Sequence, residues 1–349
     1  MKYLFAGALG LAVLSWVFSG VPWALYLGNW LYFLSLTQGL FAVLLLLWLL
    51  GMEGLDALLV PAGVLTLSFA PVALLFLLGL WGGQDRLFHW SGDEGHSLWL
   101  SGPFLFGRNL AALLLFYSVA ARIVLNFLKN RKKHPALLIT LLLLFLLNQC
   151  LVSWDFGMTL SPHWHNTLFA PYFGFGGLYA GLALLMFMLA ASKESACQLP
   201  VWEPLRKLLL TFALVWVYLW GAQFVPTWYA NLPEETGPLY RGLSGEYAFF
   251  SVLMVFLLFV IPFVVLLFGG GRKGTMKPVL GMILAGSWIE RYLVVVPPVR
   301  QLNSAAAPSA WVSGLTTMGF FAVVLFFALL SVDWLKRQSS TTARPSPAN

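Results

Sequence analysis

The 349-residue chain is 60% hydrophobic and only 9% charged, whereas soluble domains are about 45–50% apolar and about 25% charged. Long runs such as Gly39–Leu50 carry no charge, and a helix needs about 20 apolar residues to cross the roughly 30 Å hydrocarbon layer. This composition excludes a soluble domain, and the lack of short alternating segments excludes an outer-membrane barrel.

Ten apolar segments follow one another along the chain, and each is predicted to be a membrane-spanning helix. In order, they cover residues 3–20, 28–51, 57–80, 105–128, 136–153, 167–190, 204–223, 247–269, 277–297 and 311–335. The first also resembles a signal peptide, but we expect it to be retained because no clear cleavage site follows. We therefore predict an all-α polytopic protein with one integral membrane domain, residues 1–335, and a disordered cytoplasmic tail, residues 336–349.

The distribution of basic residues predicts the orientation of these helices. If the N-terminus is cytoplasmic, fifteen of the 20 basic residues fall on the cytoplasmic side and five on the other. The positive-inside rule predicts such a bias, so both termini are expected in the cytoplasm. The formal net charge of +7 then reflects topology and contacts with anionic lipids and does not indicate nucleic-acid binding.

Polar residues concentrate at three places that this topology puts on the outer side. The largest is SWDFGMTLSPHWHNTLFAPYFGFGG (Ser153–Gly177), and the others are WYANLPEETG (Trp228–Gly237) and WIERYLVVVPP (Trp288–Pro298). A charged side chain at the bilayer centre costs about 2.5–3.5 kcal/mol. The candidate residues on this side are Arg108, Asp155, His163, Glu234, Glu235, Arg241, Glu290 and Arg291.

Two interpretations of these charged residues remain open at this point. They could form a structural salt-bridge cluster that closes the bundle, or a protonatable pocket at the membrane boundary. Pro171 and the glycines after it likewise fit either close helix packing or a broken helix start. The few polar side chains at mid-depth, among them Gln38 and Thr66, favour hydrogen bonds between helices over an ion path.

Histidine and cysteine positions argue against a redox centre on this chain. None of the five histidines lies in the middle of a predicted span, where a haem in a helical bundle takes its axial ligands. Cys150 and Cys197 are predicted on opposite sides of the membrane and form no C-x-x-C cluster. We expect the chain to bind neither haem, iron–sulfur cluster nor metal.

The three polar stretches resemble those of NrfD/PsrC-like integral membrane proteins, most closely the branch that occurs in bacterial alternative complex III (ActF), a quinol:electron-acceptor oxidoreductase. SWDFGMTLSPHWHNTLFAPYFGFGG is similar to that branch's SxDWxMSLxPHWxSTxFGxYxFAG. YLWGAQFVPTWYANLPEETG is similar to YxxFSQxxxIWYGNxPEET, and GSWIERYLVVVPP to WxDLYxxxxP. Glu290 stands where the branch has Asp, and Arg291 where it usually has an apolar residue. The likeness covers residues 28–333, and the order and spacing of the motifs agree.

The resemblance implies two adjacent four-helix bundles, about residues 28–153 and 167–297, flanked by extra helices. It implies a membrane component of a quinol-oxidising respiratory complex in the bacterial inner membrane, in which quinone is the candidate ligand. The implied partners are a paralogous membrane subunit, a periplasmic iron–sulfur subunit and a monohaem or multihaem cytochrome c, which would carry the haem c and Fe–S clusters.

Three functional hypotheses follow from the residues and the resemblance together. The preferred one is a subunit without its own redox centre, in which Asp155 and His163 act as hydrogen-bond or proton partners and Glu234, Glu235 and Glu290 as relay acids. In it, Arg108, Arg241 and Arg291 hold these acids charged. The second is a purely structural anchor for periplasmic redox subunits. The third is a stand-alone transporter, which predicts no redox partner.

Overall fold

Long apolar helices make up nearly all of the structure. The computed structural model describes residues 23–52, 54–88, 90, 98–130, 134–161, 164–191, 200–230, 236–237, 240–268, 273–302 and 319. Among these residues there is no strand, and eight helices are long and apolar enough to cross a membrane. The chain is therefore an all-α, multi-pass membrane protein.

The eight helices are numbered here in chain order. They are α1 Trp23–Leu49, α2 Asp56–Gly82, α3 Gly102–Asn130, α4 Pro135–Phe156, α5 Phe169–Ala191, α6 Trp202–Ala230, α7 and α8 Lys273–Leu302. Helix α7 consists of Ala248–Val255 and Ile261–Phe268, joined by a π-helical turn, Phe256–Val260. Each coincides with one of the predicted spans, while the predicted spans 3–20 and 311–335 lie outside the described residues.

Two helices continue past the ends predicted for them because proline does not stop them. Helix α6 extends through Pro226 to Ala230, and α8 extends through Pro297 and Pro298 to Leu302. Proline removes one backbone hydrogen bond, but membrane helices tolerate this loss where neighbouring groups satisfy the freed carbonyl. Pro171 lies in the first turn of α5, where the backbone N–H has no partner within the helix in any case, so α5 starts as an unbroken helix.

The contacts between helices form two closed rings. Helices α1, α2, α3 and α4 each contact the next, and α4 contacts α1 again; α5, α6, α7 and α8 do the same. The two rings meet chiefly where α1 contacts α5 and α8, and α4 also contacts α5. As a result, α1 is enclosed by other helices along nearly its whole length.

Glycines allow α1 and α5 to approach each other at backbone distance. A β-carbon on Gly39 would collide with the backbone of Gly177, and one on Gly181 would collide with the backbone of Gly39 and Leu40. Small residues at such crossings let the helices come closer and increase the van der Waals contact between them. In a membrane this contact favours helix association, because lipid tails are as apolar as the helix surface and no hydrophobic effect drives the helices together. Close packing, the first of the two interpretations of the glycine-rich segment, accounts for these positions.

Buried polar side chains link the helices around α1. Gln149 of α4 donates from Nε2 to Oε1 of Gln38 in α1 at 3.0 Å, and Thr66 of α2 donates to the backbone oxygen of Thr37 at 2.8 Å. The Trp30 indole donates to the carbonyl of Ala73 in α2 at 3.0 Å. Hydrogen bonding between helices, the interpretation favoured for Gln38 and Thr66, is therefore observed.

The π-helical turn of α7 is bound by a tyrosine from another helix. A π turn places one extra residue in the helix and shifts the partners of its carbonyl groups. The hydroxyl of Tyr179 in α5 donates to the carbonyl oxygen of Leu258, within this turn, at 2.8 Å. Tyr179 is completely buried, so this bond connects α5 to the irregular part of α7 inside the protein.

Candidate functional site

An ion pair with full hydrogen bonding lies where α4 ends beside α3. The Arg108 guanidinium donates from Nε to Asp155 Oδ2 at 3.0 Å and from Nη2 to Oδ1 at 2.5 Å. Asn109 Nδ2 donates to the same Oδ2 at 2.6 Å. The Asp155 side chain is buried, so its negative charge is compensated by three hydrogen bonds from two neighbouring residues of α3.

Arg108 also holds the segment that precedes α3. Its third guanidinium nitrogen, Nη1, donates to the carbonyl oxygen of Trp99 at 2.5 Å. The guanidinium carbon lies 3.8 Å from the centre of the Trp99 ring, a cation–π arrangement that strengthens where water is excluded. The pair between Arg108 and Asp155 therefore connects α3, α4 and the short 3-10 turn Leu98–Leu100.

A second buried ion pair lies on α8. Glu290 Oε2 accepts from Arg291 Nη1 at 3.0 Å, and Oε1 accepts from the Trp216 indole of α6 at 2.8 Å. Arg291 donates from Nη2 to the carbonyl oxygen of Phe173 in α5 at 2.9 Å and stacks on the Phe173 ring at 3.8 Å. Burying an isolated charge is unfavourable. Here the two charges bind each other, and side chains of two further helices, Trp216 of α6 and Phe173 of α5, contact them.

Glu290 forms part of the wall of a cavity of about 110 Å³. The wall is built from α5, α6, α7 and α8, from the segment between α4 and α5 and from the segment that precedes α7. Most of it is aromatic or aliphatic. Its polar groups come from few residues. The lining residues include Ser161, Trp164, Phe169, Tyr172, Trp220, Gln223, Phe224, Ser251, Glu290, Leu293 and Val294.

The polar stretch between α4 and α5 folds into one side of this cavity. After α4 the chain forms the 3-10 turn Met158–Leu160, and the Thr159 hydroxyl donates to the backbone oxygen of Asp155 at 2.7 Å. Asn166 Oδ1 accepts the backbone N–H of Leu168 at 2.9 Å, and Asn166 Nδ2 donates to Gln223 Oε1 of α6 at 3.2 Å. The stretch is thereby attached to α6 next to the cavity.

The predicted site residues fall into two ion pairs and a remainder. Arg108 pairs with Asp155, and Arg291 pairs with Glu290; Glu290 lines the cavity and Asp155 does not. Arg241 lies half-buried beside Gly242, a lining residue, and burial lowers the pKa of its guanidinium below the ordinary value. His163, Glu234 and Glu235 lie outside the described residues.

Several residues of the site were not singled out by the sequence. Trp216 and Gln223 lie in the apolar span α6, and Ser251 lies in α7. Asn109 directly follows Arg108 near the end of a predicted span. This position beside a charged residue is the feature of the sequence from which its role could have been predicted. Among the described residues, no group of three or more His, Cys, Asp or Glu side chains could hold a metal ion.

No protein-family model matches this chain, and no curated protein matches it. The likeness to NrfD/PsrC-like proteins therefore rests on the three motifs alone. What the structure adds is the arrangement of the residues within them.

Proposed function

We propose that this chain is a membrane subunit of a quinol-oxidising respiratory complex and that the cavity beside Glu290 receives the quinol headgroup. One observation carries the proposal: a buried carboxylate, held by Arg291 and Trp216, forms part of the wall of a cavity that is lined mostly by aromatic and aliphatic residues. Ligand sites typically combine apolar walls with a few placed polar groups.

The chemistry of quinol oxidation requires such a group. A quinol that becomes a quinone releases two protons and two electrons, so a base must lie within hydrogen-bond reach of a leaving hydroxyl proton. Glu290 supplies a carboxylate for this purpose, and the Tyr172 hydroxyl interacts with it. In the proposal the electrons pass to an iron–sulfur cluster and a c-type haem on partner subunits, with a paralogous membrane subunit alongside.

Asp155 has a different place in this proposal. Its carboxylate already accepts three hydrogen bonds from Arg108 and Asn109, which supports a role in holding the neighbouring polar stretch in position. His163, Glu234 and Glu235 remain proposed relay groups that carry protons from the cavity to the outer surface, and Arg241 lies on the same side.

We also propose the finer architecture that the motifs imply: ten spanning helices, two adjacent four-helix bundles, and both termini in the cytoplasm of a bacterial inner membrane. The two closed rings of helix contacts support the bundles. Reporter fusions that are active only on one side of the membrane test the orientation. A C-terminal fusion that is active on the outer side would contradict it.

The decisive experiment is Glu290→Gln in the native complex. The tagged chain is purified in mild detergent, its partners are identified by mass spectrometry and by the optical spectrum of haem c, and quinol turnover is measured. We expect the variant complex to be less stable, because Arg291 loses its buried counter-ion, and the fraction that assembles to lose about 10²–10⁴-fold in kcat, the range that general-base catalysis contributes. Glu246→Gln, which removes an exposed carboxylate paired with Arg300, is the matched control and should retain turnover.

Two results would overturn the proposal. Unchanged turnover in Glu290→Gln would favour the structural anchor, and the mutual pairing of Arg108 with Asp155 is the observation that favours this second candidate. In that case Glu234→Gln with Glu235→Gln should weaken assembly and leave turnover intact. A colourless, self-associated protein without redox partners would instead favour a transporter.

A further inference from the structure

The two halves of α7 pack against different neighbours. Its second half, Ile261–Phe268, and the π-helical turn contact both α6 and α8, whereas its first half, Ala248–Val255, packs on α8. In these helices, which the structure describes completely, α6 and the first half of α7 make no comparable contact. The two helices therefore diverge beyond the π turn, and a gap lies between α6 and the first half of α7.

Contacts with α8 hold the first half of α7 away from α6. Arg300 of α8 donates to the Glu246 carboxylate and, at 2.9 Å, to the Tyr247 hydroxyl, and both of these residues lie just before α7. The rings of Phe250 and Tyr292 lie 5.6 Å apart, which adds an aromatic contact between α7 and α8. The first half of α7 is thereby attached to α8, so the gap beside α6 is part of the folded structure.

The cavity beside Glu290 reaches the protein surface at this gap. Leu243, in the segment that precedes α7, is 37% exposed, and it is the one exposed residue among the described residues that line the cavity. Trp220 and Phe224 of α6 also line the cavity and are half-buried, whereas Glu290 is buried. The cavity therefore extends from the carboxylate to an opening bounded by α6 and the start of α7.

The surface beside this opening is apolar. Val225 directly follows the lining residue Phe224, Val252 directly follows the lining residue Ser251, and both valines are more than half exposed. Both helices are long and apolar enough to cross a membrane, and apolar side chains exposed on such helices contact lipid. The opening therefore faces the hydrocarbon of the membrane.

The cavity is small for a ligand that dissolves in the membrane. Its volume is about 110 Å³, whereas sites that enclose whole drug-sized ligands usually measure about 300–1,000 Å³. The cavity can enclose a ring, but a long apolar chain attached to that ring has to leave through the opening.

We propose that the gap between α6 and the first half of α7 is a lateral portal, through which the ligand enters from the membrane and in which its chain remains while its ring occupies the cavity. This inference rests on the proposed function and specifies its ligand: a ring with two oxygen substituents and one long apolar chain. Phe224 and Leu243 form opposite sides of the portal, and both contact the chain.

The test compares two probes that differ only in the chain. They are duroquinone and the analogue in which a decyl chain replaces one of its methyl groups. Dissociation constants are measured calorimetrically on the full chain in nanodiscs and are calculated from the probe concentration in the lipid, so that stronger partitioning of the decyl analogue does not count as binding. We expect the wild-type protein to bind both with affinities within about threefold, a difference of less than one hydrogen bond, because the chain stays in a lipid-like environment.

Leu243→Trp adds bulk at the side of the portal. We expect it to weaken binding of the decyl analogue about tenfold or more, since overpacking beside the chain is unfavourable. Duroquinone should stay within about twofold of wild type, which also shows that the variant cavity is intact. The matched control is Phe249→Trp, a change at an exposed residue of the first half of α7 that does not line the cavity; it should leave both affinities unchanged.

A second measurement needs no substitution. A decyl analogue that carries a photoreactive diazirine in the chain is irradiated with the wild-type protein, and the modified peptides are identified by mass spectrometry. Modification is expected in α6 near Phe224 and in the segment from Leu243 to Val255, and excess duroquinone should suppress it. Modification confined to other helices would overturn the inference.

The outcomes separate this inference from the proposed function. If the wild-type protein binds neither probe, the proposed function fails. If it binds duroquinone but binds the decyl analogue at least about tenfold more weakly, the opening does not receive a chain; the inference is wrong and the ring site stands. If Leu243→Trp weakens both probes equally, or neither, Leu243 does not border a portal and the inference is also wrong.

Discussion

Arg108 and Asp155 lie 47 positions apart in the sequence and form a bidentate ion pair, with the two charged groups joined at 2.5 and 3.0 Å. The pair is closed on one side by Asn109 and on the other by the Trp99 ring. Unlike Glu290, the Asp155 carboxylate does not line the cavity. Its energetic importance can be separated from any role in turnover.

We predict that Asp155→Asn destabilises the protein by about 3–5 kcal/mol, because it leaves the largely buried Arg108 charge, whose side chain is 10% exposed, without its counter-ion. The double variant Arg108→Met with Asp155→Leu should be less destabilised than the single one, because neither buried charge then remains. Reversible unfolding in mixed detergent micelles measures both.

The exposed pair between Arg300 and Glu246 provides the control for this prediction. Removing it with Glu246→Gln should change the free energy of unfolding by no more than about 1 kcal/mol. If Asp155→Asn also lowered the free energy of unfolding by no more than about 1 kcal/mol, the pair between Arg108 and Asp155 would not stabilise the fold as its geometry indicates.

We predict that Gly39→Ala and Gly181→Ala each destabilise the protein by about 1–3 kcal/mol or more, the usual cost of overpacking. In each case the added methyl group meets backbone atoms of the facing helix, which cannot rotate away as a side chain can. Thermal unfolding in detergent measures the effect.

Gly281→Ala is the matched control, since a β-carbon there meets nothing within 4 Å. Alanine has the higher helix propensity by about 1 kcal/mol, so this variant should be neutral or slightly stabilised. Equal effects at Gly39 and Gly281 would contradict the close approach of α1 and α5.

We predict an energetic coupling of about 0.6 kcal/mol, and at most about 1.7 kcal/mol, between Gln38 and Gln149. These are the values found for side-chain hydrogen bonds between membrane helices. Gln38→Leu, Gln149→Leu and the double variant form the cycle, and unfolding free energies give the coupling. Gln38→Leu combined with Thr140→Ala, an exposed position on α4, should be additive within about 0.5 kcal/mol.

We predict that Tyr179→Phe costs about 1 kcal/mol, because it removes the hydroxyl that donates to the Leu258 carbonyl in the π-helical turn. Hydrogen exchange at the backbone of residues 256–262 should rise in this variant and so locate the effect. Tyr218→Phe removes a hydroxyl from a tyrosine that is 70% exposed, and it should leave both stability and exchange unchanged.

Helix positions could be predicted from the sequence because the thickness of the hydrocarbon layer sets a minimum length for every apolar run. The eight described helices coincide with predicted spans for this reason. The ends of α6 and α8 could not be predicted, since Pro226 and Pro298 stop a helix only where no neighbouring group satisfies the freed carbonyl. That information depends on the packing of other helices.

The sequence allowed the charged residues of the site to be predicted, but not the side chains that contact them. Asp155 and Glu290 stand out because carboxylates are rare in these spans. Trp216, which donates to Glu290, does not stand out, since α6 carries apolar residues around most of its circumference and no polar face indicates how the helix is rotated. Only the assembled helices determine which side chains meet.

The enclosure of α1 has a consequence for the biogenesis of this protein. Helix α1 leaves the ribosome before all the other described helices, yet its Tyr32 hydroxyl and Asn29 side chain bond to Leu284 and Trp288 of α8, the last long helix described. During synthesis α1 must therefore remain in contact with lipid or with the insertion machinery until these partners have been made, because Leu284 is 252 positions beyond Tyr32 and Trp288 is 259 positions beyond Asn29. The surface of α1 is apolar around most of its circumference. Lipid can therefore surround this helix until its partner helices have been inserted. The most central helix is thus also the one whose native surroundings are completed last.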